Sequence, residues 1–397
     1  MNKIIALTFI LLMPCAIMGQ KKELSQARTY IKSGKDFDKA EKLMTDLLKD
    51  PIHRGNERIY NTWYESVMLQ YQAANEKLYL KQKYDTAAFY QLVRRLYVIA
   101  ESLDSIDAHP DKKGRVKLSY RKNNARDMDL LRRNLYFGGT FNMRKNDYKT
   151  AFQFFDTYID AARQPLFTGY DYEKRDTMMP TAAYWAVVCG HRTNNPQMAL
   201  QYSQLALHDE SKAQFTLQYM CEAYRLQKDE THYLATLREG FSRFPDYPYF
   251  FPRLADDYNA RGKSDSVLVI ADQALQQYPD KPIFLLAKSL ALLTLNRYDE
   301  CVKVSEQLIK VDATLPEPYF NIATAYLNQA LELEKKNEPR LYRSKLTKLY
   351  TKARPYMEEY RKLVPSDQSR WAPALYRIYL NLNMGKQFDE IDRLMRK

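Results

Sequence analysis

Small and apolar residues recur along the chain with a period of 34 positions. Five consecutive blocks open at Pro180, Gln214, Pro248, Pro282 and Pro316. The eighth position of each block is small, and reads Val187, Cys221, Ala255, Ser289 and Ala323. A fixed period of this length predicts helix hairpins that stack on one another, because a single hairpin cannot bury its own apolar face.

Other positions repeat in the same register. The eleventh reads Gly190, Tyr224, Tyr258, Leu292 and Tyr326; the twentieth begins Ala199, Tyr233, Val267 and Cys301; the twenty-seventh begins Ala206, Gly240, Ala274 and Leu308. The chain also has only 11 glycines, which disfavours a protein built of tight β-hairpins. We therefore predict an all-α protein.

Looser copies of the hairpin lie on both sides of the regular array. We predict a signal peptide at 1–19, irregular hairpins at 20–163, an aromatic-containing loop at 164–179, the regular array at 180–335, and an extended helix with a capping hairpin at 336–397. The loop carries Phe167, Tyr170 and Tyr172. It is either functional, as long loops often are, or a cap where the register restarts.

The beginning of the sequence indicates export. A positive start ending at Lys3 precedes the apolar run 4–18, and Gly19 closes it as a small residue before cleavage. The run is shorter than the roughly 20 residues that a spanning helix needs. We expect a periplasmic protein with no transmembrane segment after cleavage. The alternatives are an uncleaved membrane anchor and a lipoprotein attached through Cys15, although Pro14 is a poor residue before a lipidated cysteine.

The net charge of +13 bears on the partners. In the cytoplasm it would point to nucleic acid, but export argues against that, so we predict no nucleic-acid partner. An acidic partner protein and association with an anionic membrane surface remain as alternatives to general solubility. The basic stretch 111–122 either contacts an anionic surface or is a solvated connection between hairpins, which we favour.

Three cysteines remain after signal cleavage. Cys221 and Cys301 occupy small packing positions, so we expect buried thiols that act as small hydrophobic residues. An odd number cannot all pair within one chain. Spacing alone does not decide whether Cys189 and Cys221 form a bridge between adjacent hairpins.

The register resembles that of the tetratricopeptide repeat (TPR) family. The match includes the small eighth, twentieth and twenty-seventh positions, the aromatic eleventh, and an aromatic seventeenth, as at Tyr148 and Tyr298. The resemblance implies a right-handed superhelical solenoid of antiparallel helix hairpins. The family's two-carboxylate clamp needs Lys and Asn at the fifth and ninth positions. Here those positions read Tyr184/Val188, Gln218/Glu222, Pro252/Asp256, Leu286/Leu290 and Phe320/Thr324, so the clamp is absent.

The resemblance also implies a concave surface lined by the fifth, ninth and twelfth positions of each first helix. Its candidate partner-binding residues are Tyr184, His191, Gln218, Glu222, Arg225, Asp256, Asn259, Leu286, Leu290, Leu293, Phe320 and Leu327. The surface changes from polar to apolar along the chain. The helix 283–295 is apolar almost all round, so we expect both of its sides to be covered. Either the long helix 340–363 or the chain end fills the apolar half, or a partner helix or peptide does.

No residue pattern favours an enzyme, a cofactor or a metal. The five histidines lack metal-site spacing, and no phosphate-binding glycine loop occurs. His191 and Glu222 could face each other across adjacent hairpins, as an ion pair rather than an acid–base pair. We predict a non-enzymatic exported scaffold that mediates protein–protein interaction or assembly in the cell envelope. The alternative is an envelope protein that binds glycans or other small ligands, with or without a lipid anchor, as the 32 tyrosines would allow.

Overall fold

The computed structural model describes residues 20–336 and 339–396. The predicted signal peptide, with Cys15, lies outside these residues. Within them all regular secondary structure is helical, which confirms the predicted all-α class. No helix in the described ranges is long and apolar enough to cross a membrane.

The chain divides into two compact units, and the division falls between Tyr233 and Leu234. The first unit contains α1 (20–32), α2 (Phe37–Leu47), α3 (Glu57–Tyr79), α4 (Thr86–Asp107), α5 (Arg121–Arg144), α6 (Tyr148–Asp160), α7 (Tyr172–Arg175), α8 (Met179–Arg192), α9 (Pro196–Gln201), α10 (Ser203–Ala206) and α11 (Ala213–Gln227). The division falls within α12 (Glu230–Arg243). The second unit continues with α13 (Phe250–Ala260), α14 (Ser264–Gln277), α15 (Pro282–Thr294), α16 (Tyr298–Val311), α17 (Glu317–Glu334), α18 (Pro339–Leu363), α19 (Gln368–Asn381) and α20 (Gly385–Met395).

Consecutive helices pack as hairpins within each unit. In the first unit α3 packs on α4, α5 on α6, and α8 on α9 and α10; in the second, α13 packs on α14, α15 on α16, α17 on α18 and α19 on α20. First helices of successive hairpins also touch, as α8 does with α11 and α15 with α17. These contacts confirm the predicted stacked hairpins. Helix α5 begins at Arg121, near the end of the basic stretch 111–122, and the second helix of the block from Pro180 is broken into α9 and α10.

Helices approach closely where the sequence repeats small residues. All five residues at the eighth position are buried. At Gly190 an added Cβ would lie 2.2 Å from the backbone nitrogen of Ala199, so the eleventh position of one helix touches the twentieth of its partner. The residues at the twentieth and twenty-seventh positions are also buried, except Tyr233, which is half-buried.

Cys221 and Cys301 occupy these packing positions as predicted, and Cys189 is the tenth residue of its block. Cys189, Cys221 and Cys301 are buried thiols, and no bridge joins Cys189 to Cys221. Burial raises the pKa of the Cys189 thiol to about 12 and that of the Cys301 thiol to about 11.

Four first helices of the regular array end in the same way. The fifteenth residue of each block, Asn194, Lys228, Gly262 or Asn296, adopts a left-handed backbone with φ between 50° and 67°. The N–H of the next residue then donates to the carbonyl of the eleventh position at 2.8–2.9 Å. This six-to-one hydrogen bond satisfies a carbonyl that the helix end would leave without a partner. We did not predict this repeated left-handed residue from the sequence, because asparagine, lysine and glycine differ in size, polarity and charge.

Replacing Lys228 by glycine should stabilise the protein. An L-residue in the left-handed region costs about 1–2 kcal/mol, and replacement by glycine removes this cost. The larger backbone entropy that glycine loses on folding offsets part of the resulting gain in stability. We expect Lys228→Gly to raise the free energy of unfolding by about 0.5 kcal/mol, measured by urea titration. The matched Gly262→Ala change, where a Cβ meets no atom within 4 Å, should lower it by about 1 kcal/mol. A destabilised Lys228→Gly variant would contradict this account.

The aromatic loop caps the core of the first unit. It contains a turn of 3₁₀ helix at Pro165–Phe167 and the short helix α7. The Phe167 ring stacks on Tyr97 of α4 with the ring centroids 5.7 Å apart, and both Phe167 and Tyr172 are buried. Phe167 and Tyr172 therefore act as a cap, and a function for the rest of the loop stays a prediction.

Helix α18 does not fold back over the first helices. Its apolar stripe, which includes Tyr350, Met357 and Tyr360, packs in one core with residues of α17 and α19. Tyr356 Oη donates to Glu306 Oε1 of α16 at 3.3 Å, so α18 lies beside the preceding second helix. The expectation that this helix fills the apolar groove is wrong for α15, where Leu290 stays 46% exposed, whereas Tyr360 of α18 does lie against Phe320 of α17.

Candidate partner-binding site

The predicted site residues lie on the first helices of their hairpins. We call the surface formed by the fifth, ninth and twelfth positions of these helices the first-helix face of each unit. The first unit contributes α8 and α11, and the second contributes α13, α15 and α17.

In the first unit, the predicted polar residues form a hydrogen-bonded cluster. His191 Nδ1 of α8 lies 3.1 Å from Glu222 Oε2 of α11. Gln218 Nε2 donates to the other oxygen of Glu222 at 3.1 Å. The His191 ring also lies 4.5 Å from the ring centroid of Tyr219. The predicted pairing of His191 with Glu222 is therefore present, and it links two adjacent first helices.

This polar cluster leaves little room for a small ligand. The cavity beside it measures about 100 Å³ and is lined by residues that include His191, Glu222 and the exposed Arg225. Pockets for drug-sized ligands usually measure about 300–1,000 Å³. Tyr184 is only 7% exposed and packs beside Trp185 with the ring centroids 5.0 Å apart. On this face the geometry favours surface contacts over an enclosed glycan or small molecule.

In the second unit, α15 presents an apolar strip to solvent. Leu290 is 46% exposed, and Leu286 and Leu293 are half-buried. Ile283, which was not among the predicted site residues, lies three residues before Leu286 and is 45% exposed. No part of the described chain covers this side of α15, so its covering by a partner helix or peptide stays a prediction. Ile283 could have been identified as a site residue from the sequence, because it is apolar and lies in a helix that is apolar almost all round.

The neighbouring helices extend the face differently. Asp256 and Asn259 of α13 are exposed, as a polar surface requires. On α17, the ring centroid of Phe320 lies 5.1 Å from that of Tyr360. The Arg370 guanidinium lies 3.8 Å from the Phe320 centroid. Leu327 is only 8% exposed. Open apolar surface on this face is thus concentrated on α15.

The basic stretch is held as a connection between α4 and α5. The N–H of Tyr120 donates to Asp107, and Arg121 binds Asp104 through two hydrogen bonds of 2.7 and 2.8 Å. Within the stretch Asp111 binds Arg115 at 2.9 Å. These contacts agree with the solvated connection that we favoured. Among the described residues no group of three His, Cys, Asp or Glu side chains could hold a metal ion.

A buried carboxyl group lies in the first unit, away from the first-helix face. Burial, and secondarily the charge of Asp160, raise the pKa of Glu101 on α4 to about 8. Its Oε1 atom has no hydrogen-bond partner within the described part of the chain. The folded protein therefore holds a proton that the unfolded chain releases near the ordinary value of 4.5.

We predict that Glu101→Gln removes a pH-dependent loss of stability. Because the folded state binds the extra proton, wild-type stability should fall as pH rises from 4.5 towards 8 and level off above that. At about pH 9 the variant should be ~2–4 kcal/mol more stable than wild type, and near pH 4 the two should be similar. Chemical denaturation across this pH range measures the difference. The solvent-exposed Glu65→Gln variant is the control, and an E101Q gain that does not vary with pH would refute the assignment.

No protein-family model matches the sequence. No curated protein matches it either. Several solved structures of TPR proteins are similar to the chain.

The C-terminal part of a TPR repeat-containing protein from Cytophaga hutchinsonii is 12% identical, with a TM-score of 0.42 over 64% of this chain and 92% of that one. A TPR repeats protein from Bacteroides fragilis is 15% identical, with a TM-score of 0.31 over 66% of this chain and 98% of that one. Yeast Tom70 is 14% identical, with a TM-score of 0.33 over 94% of this chain and 83% of that one. The chain's own register and packing define it as a protein of stacked tetratricopeptide-like hairpins.

Proposed function

We propose that the protein is a non-enzymatic scaffold that binds a partner peptide or helix on its first-helix faces. The observation that carries this proposal is the apolar strip of α15, where Leu290 and Ile283 are 46% and 45% exposed. Solvated leucine and isoleucine side chains on an otherwise well-packed repeat represent apolar surface whose burial would stabilise a complex.

The spacing of the strip suits an elongated apolar partner. Ile283, Leu286, Leu290 and Leu293 follow one another at intervals of three or four residues, so they lie along one side of α15. An amphipathic helix, or an extended peptide with apolar side chains on one side, could bury all four.

Substituting Leu290 should abolish partner binding without unfolding the protein. We expect Leu290→Asp to lower the affinity for the partner by about tenfold or more, because an aspartate would be desolvated in the interface. The control is Val269→Asp, since Val269 is 64% exposed on the second helix α14 of the same unit. A photo-crosslinking residue at position 290 should trap a defined partner in the native cell, and one at position 269 should not.

Isothermal calorimetry then measures the affinity of wild type and of the two aspartate variants for the purified partner. Circular dichroism establishes that both are folded. Equal affinities of wild type and Leu290→Asp, or the same crosslinked product from both positions, would rule out the α15 strip as the binding surface.

We further propose that this scaffold acts in the cell envelope after export. The support is the sequence of residues 1–19, with its positive start, its apolar run and its small residue at Gly19. The mature protein isolated from the native host should begin at Gln20, as determined by mass spectrometry of its N-terminal peptide. A mass corresponding to an intact Met1 would support the uncleaved anchor or a non-exported protein, and a lipidated Cys15 would support the lipoprotein.

A further inference from the structure

A second candidate site lies in the first unit, away from the first-helix face. A cavity of about 550 Å³ opens between α5, α6 and the loop that contains α7. Its lining includes Asp129, Arg132, Arg133, Tyr170, Arg175 and Asp176. The volume lies within the usual range for small-ligand pockets of about 300–1,000 Å³.

A buried arginine makes one wall of this cavity rigid. Arg132 is 5% exposed, and its guanidinium lies 4.0 Å from the ring centroid of Tyr158 and 3.9 Å from that of Tyr172. The same guanidinium forms an ion pair with Asp176, and Tyr158 Oη donates to Asp176 at 2.6 Å. Although burial opposes it, the hydrogen bonds from Tyr158 and Arg132 lower the pKa of Asp176. Asp176 therefore remains ionised and holds Arg132 in place.

At the mouth of the cavity, Arg133 lacks the partner that helix geometry would give it. Asp129 precedes it by four residues on α5, which is the usual spacing of an ion pair. Asp129 instead accepts a hydrogen bond of 2.6 Å from Tyr172 Oη. The exposed Arg133 makes no ion pair with any residue in the described ranges.

Arg175, which also lines the cavity, is in the same situation. The neighbouring carboxylates are engaged by other cations, since Asp171 lies 3.7 Å from Lys174 and Glu173 lies 3.8 Å from Arg163. Asp176 forms its ion pair with Arg132. Arg175 is exposed, and it too forms no ion pair within the part of the chain that the structure describes.

We propose that this cavity binds an oxyanion, a carboxylate or phosphate, carried by a small ring-containing molecule. Guanidinium groups recognise carboxylates and phosphates through paired N–H donors, and Arg133 and Arg175 are the two whose donors lack an ionic partner. The half-buried ring of Tyr170 lies 5.5 Å from Tyr172 and offers an aromatic surface for the rest of the ligand. This site is independent of partner binding on α15.

The test titrates the full-length mature protein with inorganic phosphate and, separately, with benzoate, by isothermal calorimetry. We expect saturable one-to-one binding of at least one of them, with a dissociation constant in the range of about 0.1–10 mM. A preference for phosphate identifies a phosphorylated ligand, and a preference for benzoate identifies a carboxylate on a ring. Because both arginines are exposed, Arg133→Ala, Arg175→Ala and the double variant should fold normally by circular dichroism.

The double variant should bind at least about tenfold more weakly than wild type. The control is Arg144→Ala, because Arg144 is an exposed arginine on α5 that does not line the cavity, and its affinity should equal that of wild type. The proposal is overturned if neither probe shows saturable binding to wild type, or if the double variant binds as well as wild type. A Leu290→Asp protein should retain this binding whatever its effect on the partner.

Discussion

Close approach between helix backbones is the constraint on which this structure depends. At Gly190 the partner helix comes so near that even a methyl group would collide with the backbone of Ala199. At Gly240 the close neighbour is a side chain, because an added Cβ would lie 2.3 Å from Cε1 of the Phe250 ring. Short distances of this kind let neighbouring hairpins share one layer of apolar side chains, and interior packing of that density tolerates little change in volume. The small residues of each block are therefore required by geometry, whatever the protein binds.

That constraint explains why the fold was largely predictable from the sequence. A small residue at a fixed interval is visible without knowing what it touches, so Ala199, Cys301 and their counterparts revealed the hairpins and their register. The left-handed turns were less visible, because the backbone at Lys228 is dictated by the hairpin and not by the preference of lysine. The role of Arg132 could not be predicted, since its partner Asp176 lies 44 residues away in a loop without periodicity.

The candidate site was predictable only in outline. Leu293 and Leu327 occupy the same position in successive blocks, yet the first is half-buried and the second is 8% exposed. The difference arises because α17 is followed by the 25-residue helix α18, whose Tyr350 and Tyr360 pack in one core with Leu327. Exposure of a repeat position thus depends on the neighbouring hairpin, which the block itself does not encode. Residue type identified the face, and only packing identified the part that is open.

Burial also governs the chemistry of the cysteines. Burial raises the pKa of the Cys189 thiol to about 12 and that of the Cys301 thiol to about 11, so both thiols stay protonated at neutral pH. Disulfide exchange requires the thiolate as the attacking species, so these side chains react slowly even with a strong oxidant nearby. Their use in place of alanine at tight packing positions is therefore compatible with an oxidising environment, because the fold itself protects them from mispairing.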